Sequence, residues 1–262
     1  MHTVQEIGGY LDEFAPAELA EDWDNVGLLV GHPQRPAKRI MVCLTVTPES
    51  AAEAVSQKAD LVVTHHPLPF RPLRRITTET VPGQLLLQLI EAGVAVISPH
   101  TAFDSAQLGI NQRLAEGIGL SQIRPLLATD DNCQLGSGRW GRFPEVRSLT
   151  VITDRLKEFL GVEHTRCVGD PGSQIATAAV ACGSAGQFLK DAQAAGCGLL
   201  VTGETTFHTC LEAAATNVCL LLPGHYASER FAVEQLATVL QLQFRDLDVW
   251  ASAEESDPIW QA

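Results

Sequence analysis

Short apolar segments alternate with amphipathic segments along almost the whole chain. Each apolar segment is bounded by polar or turn-forming residues, which is typical of buried strands. The predicted strands are Arg39–Val46, Asp60–Thr64, Val94–Ser98, Ile175–Ala181, Gly198–Thr202 and Val218–Leu222. The predicted helices are Val4–Phe14, Pro48–Lys58, Pro82–Ala92, Asp154–Leu160, Ser184–Ala195, His208–Ala215 and Tyr226–Leu240. This alternation predicts an α/β fold with largely parallel sheets that helices cover on both faces.

Two stretches of the chain resemble one another. Asp60–His66 is similar to Gly198–Glu204, and Val96–Asp104 is similar to Leu220–Glu229. Chance explains the first likeness equally well, because both segments are apolar runs. The second is harder to explain by chance, since each segment ends in a histidine followed four residues later by a carboxylate. The chain is therefore predicted to contain two similar α/β domains.

The predicted first domain comprises residues 1–125 and 220–262, and the second comprises residues 126–219. The Gly-rich segment 129–144 lies near the start of the second domain. A loop, an edge hairpin and a domain linker are all compatible with its composition, and the sequence does not decide among them.

Composition excludes several classes of protein. The formal net charge of −13 disfavours general nucleic-acid binding, because an acidic surface repels phosphate backbones. Arg71, Arg74 and Arg75 form the main basic group, which is interpreted either as a phosphate contact or as a solvated loop. No apolar stretch approaches the ~20 residues that span a bilayer, and the first residues do not resemble a signal peptide. The seven cysteines form no CxxC pair and are interpreted as buried apolar residues in a reducing cytoplasm.

Histidines and carboxylates cluster just after three predicted strands. These residues are His65 with His66, His100 with Asp104, and His225 with Glu229. In open parallel sheets, sites form beyond the carboxyl ends of the strands, so the pattern predicts a metal site. Imidazole and carboxylate ligands suit Zn, Mn, Fe or Ni without selecting among them, and a carboxylate can bridge two ions. The alternative is structural: a paired histidine often caps or fills a core, and a histidine with an acid at i+4 is often a surface ion pair.

Two further segments have open interpretations. His208 follows Gly203-Glu204 at a predicted helix start, where it is either a catalytic or supporting group or a helix cap. Trp23-Asp24-Asn25 either lines the functional cleft or forms a structural turn.

The motifs taken together resemble a known family. They are Glu21-Asp22-Trp23-Asp24-Asn25-Val26-Gly27-Leu28, Val63-Thr64-His65-His66-Pro67-Leu68, Phe70-Arg71-Pro72-Leu73, His100-Thr101 with Asp104, Thr202-Gly203-Glu204, and Gly224-His225-Tyr226 with Glu229-Arg230. In this order they are similar to the signature blocks of the Ngg1-interacting-factor-three-like proteins, which also carry the name GTP cyclohydrolase 1 type 2.

The resemblance implies two divalent metal ions per chain. Their ligands would be His65, His66, Asp104, His225 and Glu229. It also implies interlocked α/β domains with the metal site in the cleft between them, and a toroidal homohexamer. Two positions depart from the family pattern: Thr45 stands where many relatives have Asp, and Phe207 replaces the first histidine of a pair, which leaves His208 as the remaining candidate.

The function implied by the resemblance is metal-dependent hydrolysis of a nucleotide-like substrate in the cytoplasm. Water would attack the guanine ring of GTP with release of formate, or a phosphoester would be hydrolysed at the same centre. His208 or Glu204 would transfer protons, and Arg71, Arg74 or Arg230 would contact phosphate. The alternative is a non-enzymatic, metal-binding or metal-handling hexameric scaffold.

Overall fold

A computed structural model describes residues 1–129 and 132–260. Its strands are β1 (His2–Thr3), β2 (Gly27–Val30), β3 (Pro36–Ala37), β4 (Arg39–Cys43), β5 (Leu61–Thr64), β6 (Ala95–Ser98), β7 (Ser121–Thr129), β8 (Asn132–Ser148), β9 (Arg166–Val168), β10 (Gln174–Ala181), β11 (Leu199–Thr202), β12 (Cys219–Leu222) and β13 (Asp248–Ala251). Its α-helices are α1 (Val4–Phe14), α2 (Pro48–Ser56), α3 (Val81–Ala92), α4 (His100–Ser105), α5 (Ile110–Gly117), α6 (Leu149–Leu160), α7 (Leu189–Ala194), α8 (Phe207–Ala215) and α9 (His225–Gln243). All six predicted strands and all seven predicted helices are confirmed; the ends of α1 match the prediction and those of the others are shifted.

The chain forms two compact units. The first unit comprises Met1–Phe103 and Ala232–Ala262, and the second comprises Asp104–Phe231. The domain bounds predicted from the sequence differ from these units at 104–125 and 220–231. The reason is physical: α5 packs on β8 and β10, and β12 pairs with β11, so both segments share the core of the second unit.

The sheet of the first unit has the order β13-β4-β5-β6-β2. Its first four strands are parallel, and β2 is antiparallel to β6 at the edge. Helices α2 and α3 cover one face, where apolar side chains such as Val62 and Leu89 are fully buried. Sequence explains the helix starts, since Thr47 caps α2 in a capping box and Thr80 caps α3. The largely parallel sheet predicted from the sequence is confirmed for this unit.

The sheet of the second unit has the order β7-β8-β10-β11-β12-β9 and is mixed. Only the pairs β10–β11 and β11–β12 are parallel, so the prediction of a largely parallel sheet is wrong here. The Gly-rich segment belongs to the antiparallel pair β7–β8 at one edge of the sheet rather than to a linker. Strand β8 is also antiparallel to β10, and β9 is antiparallel to β12 at the other edge. Residues 130–131 of that segment lie outside the described residues.

A buried arginine fixes this pair of strands to the rest of the unit. Arg139 is the largest fully buried side chain of the described residues, and its guanidinium donates to the carbonyls of Gly136, Gly138, Ser105 and Ala106. Burial lowers the pKa of Arg139 to about 10, which still leaves the side chain charged at neutral pH. Strand β8 is therefore tied to the end of α4, directly after Asp104.

The two sheets share one local design, as the internal likeness of the sequence predicts. The order β4-β5-β6 in the first sheet matches β10-β11-β12 in the second. Thr64 ends β5 and donates to the carbonyl of Leu44, while Thr202 ends β11 and donates to the carbonyl of Gly183. Each threonine thus satisfies a carbonyl just beyond the neighbouring strand and fixes the turn there.

Two predictions from composition concern the whole chain. Among the described residues, no helix is long and apolar enough to cross a membrane. The cysteines whose side chains are described are free thiols, and most of them are buried, as predicted: Cys43, Cys182, Cys197 and Cys219 are buried, Cys210 is intermediate and Cys167 is exposed. The side chain of Cys133 lies outside the described residues.

Candidate metal centre

Three imidazoles of the first unit lie together at the carboxyl ends of two adjacent strands. His65 and His66 follow β5, and His100 follows β6 at the start of α4. The ring centroids of His65 lie 5.0 Å from His66 and 5.1 Å from His100. One ring nitrogen from each histidine can be chosen so that all three lie within 4.8 Å of one another. The strand-end cluster predicted from the sequence therefore forms in this unit, with His100 as a member.

Asp24 holds His100 in place. Its carboxylate is 1% exposed and lies 2.7 Å from Nδ1 of His100, while the backbone amides of Asn25 and Thr101 also donate to it. Burial alone would raise the pKa of Asp24, but hydrogen bonds with His100 and Thr101 and the charge of His100 lower it to about 2. His100 has a positive φ of 26°, a backbone conformation that L residues rarely adopt. The ionised carboxylate thus stabilises a strained residue at the centre of the cluster.

Thr45 holds His66 in a similar way. Its hydroxyl lies 2.7 Å from Nδ1 of His66. Glu255, from the C-terminal segment, accepts hydrogen bonds from the backbone amides of Leu44 and Thr45. A partner at Nδ1 of His66 fixes the orientation of the ring, as is common for metal-binding histidines.

Asp104 belongs to the second unit. Its carboxylate accepts a hydrogen bond from the thiol of Cys182 at 3.1 Å. Asn111 links the two residues, because its side chain donates to the carbonyl of Asp104 and accepts from the amide of Cys182. Burial raises the pKa of the Cys182 thiol well above its ordinary value, and the charges of Asp104 and Glu229 raise it further. Cys182 is therefore a neutral thiol beside two carboxylates.

His225 lies between two carboxylates of the same unit. Its Nδ1 is 3.0 Å from Glu204, and its Nε2 is 3.2 Å from Glu229, which is buried. The pKa of His225 is raised to about 9. The hydrogen bond with Glu229 is the main cause, and the charge of Glu229 and the contact with Glu204 raise the pKa further, while burial lowers it. Without an ion, His225 therefore carries a proton that a metal would displace.

Two glycines make room for these acids. Gly183 has a φ of +65°, and a Cβ there would clash with Oε1 of Glu229. Gly203 has no space for a Cβ, which would lie 2.5 Å from the hydroxyl of Ser228. That hydroxyl accepts from the amide of Gly183 and donates to the carbonyl of His225. The turns after β10 and β11 are thus packed directly against the first turn of α9.

The remaining candidates have different environments. His208 is exposed at the start of α8, and Thr206 rather than His208 caps that helix, so the capping interpretation of His208 is wrong. A proton-transfer role for His208 stays a prediction. Glu204 contacts His225, which suits a residue that orients the imidazole. Arg71, Arg74 and Arg75 lie in an exposed loop, as both interpretations of this basic group require.

Sequence reasoning missed several supporting residues. The sequence predicts Cys182 only as a buried apolar residue, and no pattern singles out Glu255. Each makes its contact with a residue far away in the sequence, so no local motif signals it. The sequence leaves open whether the segment Trp23-Asp24-Asn25 lines the site or forms a structural turn. The short distance from Asp24 to His100 makes Asp24 part of the site.

The side chains present fit a divalent transition metal. The first unit offers three clustered imidazole nitrogens, and the second offers His225 beside the buried carboxylate of Glu229; these are donors that Zn, Mn, Fe and Ni accept. Hydrogen-bond partners at Nδ1 of His66, His100 and His225 supply the outer support that such ligands need.

Comparisons with known proteins concern the family and the fold of the chain. A family model described as Duf34/NIF3 (NGG1p interacting factor 3) matches residues 2–258. A relative from Clostridium perfringens named GTP cyclohydrolase 1 type 2 homolog is 31% identical over 256 residues, which cover 97% of this chain and 98% of the relative. A Helicobacter pylori (strain ATCC 700392 / 26695) protein named GTP cyclohydrolase 1 type 2 is 33% identical over 232 residues, 88% of each chain. The crystal structure of a Bacillus cereus protein related to NIF3 has the same fold, with a TM-score of 0.90 and 21% identity over 100% of this chain and 99% of that one.

Proposed function

Because the chain belongs to the Duf34/NIF3 family, we propose that it is a metal-dependent hydrolase of a nucleotide-like substrate. The observation that carries the proposal is the imidazole cluster of His65, His66 and His100, in which Thr45 holds Nδ1 of His66 and Asp24 holds Nδ1 of His100. Metal-binding histidines usually have such a partner at the ring nitrogen that does not bind the ion, because it fixes the orientation of the ring.

The proposed ligands of two divalent ions are the five residues implied by the family resemblance: His65, His66, Asp104, His225 and Glu229. Zn, Mn, Fe and Ni all suit this set. Bound ions of this kind supply Lewis-acid chemistry and lower the pKa of a water molecule towards neutrality. The proposed reaction is the opening of the guanine ring of GTP with release of formate, by analogy with the activity named for the Helicobacter pylori relative.

The chain's own residues would orient ligands and move protons. Glu204 holds Nδ1 of His225, so it fixes which nitrogen faces an ion. Glu204 and His208 are the proposed proton-transfer groups, since both follow β11 and are at least partly open to solvent. Arg71, Arg74 and Arg230 are the proposed phosphate contacts. We also propose, from the resemblance, a homohexamer in the cytoplasm.

Formate release from GTP tests the activity. Protein loaded with Mn, Zn or Fe is expected to release formate, and His65→Ala is expected to abolish the release. His164→Ala is the matched control, because His164 is an exposed histidine whose only ion-pair contact among the described residues is its neighbour Glu163. Equal formate release by wild type and His65→Ala would refute the proposal.

Elemental analysis tests the ligand assignment separately. Two ions per chain are expected in the wild type, and His225→Ala is expected to lower this number. Unchanged metal content in His225→Ala would refute the assignment. Tightly bound ions without turnover of GTP or of phosphoesters would instead support the alternative of a metal-binding scaffold.

A further inference from the structure

Two exposed aromatic rings lie against the imidazole cluster. Trp23 is 63% exposed and Phe70 is 51% exposed. Their centroids are 6.0 Å apart and their planes are inclined by 53°, so the two rings do not stack on one another. Both approach the ring of His100 edge-on, at 6.0 Å and 5.9 Å. The aromatic pair, Trp23 with Phe70, therefore borders the candidate metal ligands and leaves much of its surface in solvent.

The backbone under the aromatic pair is held firmly. Asp24 is buried against His100 and Thr101, and the amide of Glu21 donates to the hydroxyl of Thr101 at 3.0 Å. The side chain of Asn25 donates to the carbonyl of Pro69 at 3.1 Å, which links the segment of Trp23 to that of Phe70. The two rings are exposed although their segments are ordered by hydrogen bonds. Exposed aromatic side chains on a fixed support are a feature of binding sites.

Charge indicates the kind of ligand. The chain has a formal net charge of −13, yet Arg71 follows Phe70 directly, and Arg74 and Arg75 lie in the same exposed loop. Aromatic surfaces bind planar rings by stacking, and arginines bind phosphate oxygens. A planar ring that carries phosphates matches both features. An aliphatic ligand matches neither, and a cation can lie on an aromatic ring but is repelled by the arginines.

We infer that Trp23 and Phe70 form a binding subsite for the nucleobase of a nucleotide, with Arg71 towards its phosphates. This inference rests on the proposed function for the class of substrate, but it assigns a binding role to residues that are not metal ligands. A base packed on these rings would lie beside His100 and therefore next to the candidate metal centre.

Three ligands separate the contributions of ring and phosphates: guanosine, GTP and inorganic triphosphate, each titrated into the metal-loaded full-length protein. Trp23→Leu and Phe70→Leu keep apolar bulk but remove the aromatic surface, and Trp23→Phe is the matched control that retains it. Each leucine variant is expected to weaken guanosine and GTP binding about 5- to 150-fold and to leave triphosphate binding unchanged. Arg71→Gln is expected to weaken GTP and triphosphate binding while guanosine binding stays unchanged.

Metal content and the unfolding temperature are measured for every variant and are expected to equal those of the wild type, because both rings are exposed. Equal guanosine binding by wild type and the leucine variants overturns the inference. The inference is also overturned if the wild type binds neither guanosine nor GTP. A leucine variant with a changed oligomer mass and unchanged nucleotide binding overturns it too, because the rings would then belong to contacts between copies of the chain. Guanosine binding that depends on Trp23 without any turnover supports the subsite and refutes only the hydrolase proposal.

Discussion

Replacing Thr45 with valine removes one hydrogen bond from the candidate metal centre and little else. Valine has nearly the volume of threonine, so no cavity forms, but it cannot pair with Nδ1 of His66, which lies 2.7 Å from the hydroxyl. The backbone amide of Thr45 keeps its bond to Glu255 in the variant. The change therefore isolates the orientation of the His66 ring.

The magnitude follows from the kind of bond that is lost. A neutral hydrogen bond contributes about 0.5–1.5 kcal/mol, and loss of an outer partner of a metal-binding histidine costs about 10- to 100-fold in metal affinity. The hydroxyl is neutral, so we expect the lower end of this range, about tenfold, or about 1.4 kcal/mol. Glu255→Gln is expected to act in the same direction, because an amide cannot accept both backbone bonds in the way a carboxylate does.

Competition with a chromophoric chelator measures this affinity. Thr45→Ser is the matched control, since it retains the hydroxyl and is expected to bind metal within about twofold of the wild type. The free energy of unfolding of the metal-free protein should fall by about 0.5–1.5 kcal/mol in Thr45→Val, which loses the hydrogen bond, and stay within about 0.5 kcal/mol in Thr45→Ser. Equal metal affinity of wild type and Thr45→Val would show that His66 either is not a ligand or does not depend on Thr45.

Three further predictions concern the neighbouring residues. Because the pKa of His225 is raised to about 9, a bound ion must displace the proton of His225. Apparent metal affinity, measured by chelator competition, should therefore rise about tenfold per pH unit up to about pH 9 and then level off. An affinity that does not change between pH 6 and 8 would contradict this. The folded-state pKa of Asp24 is about 2, below the ordinary value of 3.8. The contribution of Asp24 to stability is therefore present above pH 3.8 and is lost as the pH falls towards 2. Acid unfolding of the wild type should show this loss, and acid unfolding of Asp24→Asn should not. Gly183→Ala should lose metal in elemental analysis, because the new Cβ displaces Glu229. Gly161→Ala is the control, since Gly161 has a similar φ of +67° and open space around it; it should lose about 1–2 kcal/mol of stability and keep its metal. Equal metal content in the two variants would contradict the role given to Gly183.

The sequence predicts those parts of the fold that are encoded locally. Helix α1 has the predicted ends because Thr3 and Glu6 form a capping box. Strand β5 is a continuous apolar run that ends where His65 begins, so both the strand and the position of the ligands follow from the pattern.

The elements that depend on distant partners are missed. Strand β2 is a partly exposed edge strand, and β13 joins the sheet beside β4 from the far end of the chain. Strand β8 contains several glycines, and it pairs with β7 and β10 while Arg139 finds five acceptors inside the unit; composition does not show these contacts. Glu255 and Cys182 likewise gain their roles only from long-range contacts.

The matched threonines at the ends of β5 and β11 have an evolutionary consequence. If both sheets descend from one duplicated βαβ unit, positions that follow these threonines are counterparts: His65 with Gly203, and His66 with Glu204. Duplication then explains a difference in role between the copies, in which one strand end carries two imidazoles and the other carries a small residue and an acid that orients a histidine. Ancestral reconstruction that restores the same residue types at both strand ends would show which copy changed.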